Sequence, residues 1–252
     1  MATPTVPAQQ APAPVSSVGR IFGVFFEPKT TFESIAQRPT WVLPMLVVII
    51  VSLGSIATIG SRVGWRQVIE HQVATSPRAQ ERMQQMPPEQ RESMMEKQAK
   101  LAGVIGYVGV IVGTVVAELV VAALFLAVFN IISGSKMPFS TSLGVVAYSW
   151  MPYVIATLLG IVILFIKDPS TVDVQNLVAS NPGALLSDTA PKWMVSLLTS
   201  LDLFTFWVLI LQAIGYRATN PKKISFGKAL GAIVVIWLIF VLVKVGLAGA
   251  FA

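Results

Sequence analysis

A single carboxylate, Glu118, stands near the centre of thirty otherwise uncharged residues, Gly103 to Ile132. An acid in such a setting can hold a cation, relay a proton or grip a polar ligand. On insertion scales it costs roughly 3 kcal/mol, so it needs a partner, a proton or water. Two further charges, Asp202 and Lys244, interrupt later apolar stretches. At 1.5 Å per residue, Asp202 lies roughly 12 Å and Lys244 roughly 10 Å from the outer ends of their segments. Equal depth predicts an Asp202–Lys244 ion pair, the alternative being Lys244 snorkelling alone to the surface. Tyr148 and Pro152 fall level with Glu118. Pro152 is expected to kink its helix and free the Tyr148 carbonyl, and the Tyr148 hydroxyl is in a position to satisfy Glu118. Gly109, Gly113 and Ala117 recur every four residues before Glu118, a seam that lets a second helix approach. Two readings stay open: a packing seam around a satisfied glutamate, or an ion or polar-ligand site.

Other chemistry lacks parts. The chain has no cysteine and one histidine, His71. Thiol and histidine-based nucleophilic catalysis are therefore not expected. Met83, Met86, Met94 and Met95 are spaced as soft copper(I) ligands could be, but methionine is more commonly a filler of apolar faces. No nucleotide-binding glycine loop, HExxH or GxSxG is present. Neither an enzyme, a cofactor nor a metal site is expected.

The elements that carry these residues are membrane spans. Of 252 residues, 54% are hydrophobic and 12% charged, half the charged share of a soluble domain. About twenty apolar residues cross a bilayer, and five stretches qualify: about 41–59, 103–132, 142–166, 194–215 and 229–251. The reading is an all-α integral membrane protein with five transmembrane helices, N-terminal interfacial helices and a helical extramembrane loop. Residues 1–19 read as a disordered tail and 20–252 as one membrane domain, with extramembrane loops at 60–100 and 167–193. Between the tail and the first span, Val18, Ile21, Phe22 and Phe25 make one apolar helical face. Thr30 and Glu33 read as a capping box that opens a second short helix. Both helices are expected to lie in the interface, with Arg20, Lys29 and Arg38 at the headgroups.

Net charge is +6. In this hydropathy it fits loops lying against anionic lipid, and no basic run interleaved with aromatics suggests nucleic acid. With the N-terminus inside, basic residues number eight inside and nine outside; without the 60–100 loop they number eight and two. A cytoplasmic N-terminus in a bacterial-type cell (inner) membrane is the expectation.

Three segments, FFEPKTTFESIA at 25–36, AYSWMP at 147–152 and LDLFTFWVLILQAIG at 201–215, together resemble the Ypt-interacting protein (Yip) domain family. The resemblance covers about residues 20–250 and includes the five-span layout, and it too implies a cytoplasmic N-terminus. Eukaryotic relatives associate with prenylated Rab-type GTPases and with one another. Their acidic-leucine-tyrosine-glycine-proline motif is not present here. The long loop and Ala/Val-rich spans look like prokaryotic members, so Rab binding is not carried over. The expected role is a membrane scaffold or adaptor that self-associates and contacts lipids and an unknown protein partner. The alternative is a transporter, channel or lipid-moving protein using Glu118 and the Tyr148–Pro152 kink.

Overall fold

A computed structural model describes residues 16–134, 136–187 and 189–250. The first fifteen residues of the expected tail lie outside the described residues; Ser17 to Gly19 already belong to α1. The described chain is helical: α1 Ser17–Phe26, α2 Pro28–Gln37, α3 Val42–Arg62, α4 Trp65–Ala74, α5 Pro77–Gln84, α6 Pro88–Ser133, α7 Phe139–Ser149, α8 Met151–Ile166, α9 Lys192–Ser200, α10 Leu203–Thr219 and α11 Phe226–Ala250. Among the described residues, α3, α6, the α7–α8 unit and α11 are each long and apolar enough to cross a membrane. The α9–α10 pair, bent by 48°, is a fifth span if its two halves are one. The fourth expected span is therefore not the single helix the sequence suggested.

α6 has 46 residues and is roughly 69 Å long. The hydrocarbon core is only about 30 Å thick, so the amino-terminal half of α6 projects out of the bilayer. There α4 and α5 fold onto it, with Ile69, Met83 and Met95 buried between them and Met86 and Met94 packed alongside. The methionines thus serve as the apolar filling of a small cap. Arg66 ties the cap across its surface: its guanidinium meets both Glu92 oxygens at 2.6 and 3.0 Å and Glu70 at 2.9 Å. Lys100 meets Glu96 at 2.7 Å.

Those pairs make the cap sensitive to acid. Bonding to Arg66 holds the Glu92 carboxyl below its ordinary value, and Lys100 does the same for Glu96. A lowered carboxyl stabilises the fold above its unfolded pKa, and that contribution is lost as pH falls through the folded value. Hydrogen exchange in α4 and the first turns of α6 is therefore expected to rise below about pH 4. The change is small, because the pairs are exposed. Protection factors, corrected for the intrinsic slowing of exchange in acid, that stay flat from about pH 5 down to about pH 2 count against this clasp.

Trp65 seats the cap on the bundle. A Cβ at Gly60 or at Gly103 would lie 2.9 Å from the Trp65 ring nitrogen, and Gly106 approaches the same ring. Three glycines thus form the cradle for one indole. Gly64, at φ 85°, makes the turn that delivers it. Gly103→Ala is expected to cost about 1–3 kcal/mol by overpacking. Faster exchange confined to α4 is the readout, and unchanged exchange there would refute the cradle.

The expected small-residue seam lies elsewhere from this cradle. A Cβ at Gly109 or Gly113 would meet no other atom within 4 Å. Around these residues Val108, Ile111, Val112 and Val116 are exposed. That face of α6 looks outward and packs on nothing within the described chain.

The principal core is built around α7. Thr141 to Ser149 are all buried, enclosed by α1, α2, α6 and α10. Two glycines permit this density: a Cβ at Gly144 would press on Ile35 and the Thr40 carbonyl, and one at Gly215 on Val145 and Phe32. α2 starts at Pro28 in the first helical position, two residues before the expected Thr30 cap, and the Thr30 hydroxyl instead donates to Glu27.

Candidate functional site

The helices α1 and α2 are not simply laid on the interface. Val18, Phe22 and Phe26 do face outward along α1, but Arg20 and Val24 face the protein and are buried. Arg20, expected at the headgroups, is only 3% exposed. Its guanidinium donates to the Ser34 hydroxyl at 2.9 Å, the Arg38 carbonyl at 2.8 Å and the Thr40 hydroxyl at 2.9 Å. Thr40 in turn meets the Tyr148 hydroxyl at 3.1 Å, which also donates to the Ser17 carbonyl at 3.3 Å. Tyr148 is therefore bonded to the N-terminal helices, and the expected Tyr148–Glu118 bond is not formed. The reason is the buried helical pair, which brings its own polar groups to α7.

Glu118 is fully buried, and neither carboxylate oxygen has a hydrogen-bond partner among the described residues. One turn further along α6, the Ser142 hydroxyl donates to the Ala122 carbonyl at 2.6 Å. Having given its proton there, Ser142 accepts from Tyr216 at 2.7 Å. The Tyr216 ring stacks on Phe129 with centroids 4.2 Å apart. The Ser142–Tyr216 link joins α7 to α10; only tertiary contact distinguishes these two residues from other span hydroxyls. The Asn130 side-chain oxygen accepts from the Met137 N–H at 2.8 Å and closes the α6–α7 turn.

Pro152 lies in the first turn of α8. The α7–α8 span is interrupted at Trp150, two residues before it, the place where a proline inside a span removes a helical hydrogen bond.

The two remaining charges sit at the break in the fourth span. Asp202 is the N-cap of α10: one oxygen accepts from Phe204 N–H at 2.9 Å and Thr205 N–H at 3.1 Å. Its other oxygen accepts from the Ser180 hydroxyl, and Leu203 N–H donates to the Ser180 carbonyl at 3.1 Å. Lys244 donates to the Ser200 hydroxyl at 3.1 Å, at the carboxyl end of α9. The expected Asp202–Lys244 ion pair is not formed: Asp202 bonds to Ser180 and two backbone N–H groups, and Lys244 to Ser200. Each charge instead meets a half-helix end of opposite sign, the anion at the start of α10 and the cation at the end of α9. Breaking the span creates these ends, so two separate compensations replace the single one expected. Ser-Leu-Asp ahead of Leu203 was the available signal, an N-cap inside an apolar run.

Above this break lies an open cavity of about 920 Å³. Its walls come from α3, α4, α8, α9, α10, α11 and the 172–190 loop, and it is lined by both Asp202 and Lys244 as well as His71. Glu118 is not part of the lining. Among the described residues no cluster of three or more His, Cys, Asp and Glu side chains is arranged to hold a metal.

The family model for the Yip1 domain matches residues 22–247. No curated protein and no solved structure matches the chain. That match runs from within α1 to within α11 and takes in every apolar span between them, so the chain belongs to the Yip1 domain family of multi-pass membrane proteins.

Proposed function

We propose that this protein is a membrane scaffold or adaptor, acting through contacts with lipids and other proteins and not through a reaction or a permeation path. The observation that carries the reading is the burial of Glu118: the acid is sealed within packed helices, away from the polar cavity. A conduction or carrier site needs such a group to meet water or cargo. The outward, unfilled face at Gly109 and Gly113 supports self-association, since small residues let a second copy approach closely. Exposed Phe22 and Phe26 support contact with lipid along α1. The role belongs, on this reading, in a bacterial-type inner membrane with the N-terminus cytoplasmic.

Solute and ion flux across liposomes containing wild-type or Glu118→Gln protein tests it. Flux equal to that of empty liposomes is expected for both. Flux by the wild type that the variant abolishes would replace the scaffold reading with the transport one.

A further inference from the structure

We propose that the cavity at the broken fourth span is a phospholipid headgroup site, with the lipid phosphate held by Lys244. The proposal goes beyond the contact role argued above, and its readout is independent of the flux measurement.

Four observations converge on it. First, the cavity has the size of a ligand site: about 920 Å³ here, against roughly 300–1,000 Å³ for small-molecule pockets. Second, its polar lining reaches into apolar depth. It descends from His71 in the cap to Thr157, ten residues inside the carboxyl end of α8 at Lys167, roughly 15 Å along the helix. The Thr157 hydroxyl there donates to the Tyr153 carbonyl at 2.8 Å and keeps its acceptor capacity for a polar guest. Third, Ser196 lines the cavity, is 8% exposed, and its hydroxyl has no hydrogen-bond partner. Fourth, the ammonium of Lys244 is turned toward Ser200 by a single neutral hydrogen bond, which leaves donors free for an anion.

The source of that anion follows from where Lys244 stands. Phe240, Val243 and Leu247 flank it on one face of α11, and all are exposed. In a membrane span that face meets acyl chains. Lys244 is therefore both on the lipid face and in the wall of the cavity. A molecule reaching it from the bilayer brings its apolar part along Phe240 and Leu247 and its polar part into the cavity. A phosphodiester suits the cation, and the covered, partnerless hydroxyl of Ser196 belongs to a residue of the same cavity wall. Asp202 is saturated by Ser180 and two backbone N–H groups, so it holds the break open and does not compete for Lys244.

The test uses the full-length protein in detergent, titrated separately with phosphatidylethanolamine, phosphatidylglycerol and phosphatidylcholine and read by native mass spectrometry. Lys244→Met keeps the stem and removes the charge; Lys228→Met, at the other end of α11, is the control. Losing one charged hydrogen bond corresponds to about tenfold weaker retention or more. Retention is expected to fall by that factor in Lys244→Met and to be unchanged in Lys228→Met. Lipid is expected to raise the melting temperature of the wild type more than that of Lys244→Met. Inorganic phosphate and phosphoethanolamine are expected not to displace bound lipid. Equal retention by wild type and Lys244→Met overturns the proposal. Displacement by inorganic phosphate also overturns it, and makes the cavity a site for a free anion.

Discussion

Replacing Arg20 by lysine is expected to release α1 and α2 from the bundle even though the charge is kept. The guanidinium reaches Ser34, the Arg38 carbonyl and Thr40 at once, across the α1–α2 corner. An ammonium is a single point and cannot make that planar fork. Each charged hydrogen bond is worth roughly 1.5–3 kcal/mol, so losing even one is a large perturbation of this docking. Arg20→Ala should be worse, because it leaves the Arg38 carbonyl and Thr40 without their donor. Limited proteolysis at Glu27 and Arg38 and hydrogen exchange over 17–40 are the measurements. Both are expected to accelerate, with exchange in α11 unaffected. Thr40→Val should reproduce part of the effect, since it removes the link to Tyr148. Native-like protection of α1 in Arg20→Lys would show that apolar packing by Val24, Phe32 and Ile35 suffices alone.

Glu118→Leu is expected to stabilise the protein, the reverse of what substitution at a working ion site does. Both carboxylate oxygens are buried without a partner. Leaving a buried polar group unsatisfied costs about 1–3 kcal/mol, and an apolar side chain of similar volume removes that cost. Glu118→Gln should gain less, because the amide still brings polar atoms into the same packed space. Thermal unfolding in detergent decides it: a higher melting temperature for Glu118→Leu than for Glu118→Gln, and for both than for wild type. A lower melting temperature for Glu118→Leu would mean that the acid meets a partner in the membrane, which would also reopen the transport reading.

The seat of the polar chemistry moved away from the midplane for one physical reason. A carboxylate or ammonium in an apolar sequence can be compensated by another charge, by water or by backbone. Depth counting considers only the first of these. Asp202 and Lys244 were read as partners because they lie at similar depth, yet the 200–203 break serves each of them separately, Asp202 through backbone N–H groups and Lys244 through the Ser200 hydroxyl. Tyr148 was assigned to Glu118 on the same logic, but Thr40 and Ser17 reach it first because α1 and α2 fold inward.

Three short segments pointed to the family by resemblance, while composition and periodicity by themselves determined that the chain is helical and membrane-embedded and where its apolar stretches lie. Those properties follow from local rules: hydrocarbon demands helices of about twenty apolar residues, whatever their neighbours. Tertiary structure alone decided that Arg20 is buried, that Trp65 rests on Gly60, Gly103 and Gly106 and not on the Gly109–Gly113 stripe, and that the fourth span breaks at Asp202. It also decided that a polar cavity opens beside Lys244. Each of these depends on which surfaces meet across distances of tens of residues, and hydropathy, a property of one segment at a time, carries no record of that.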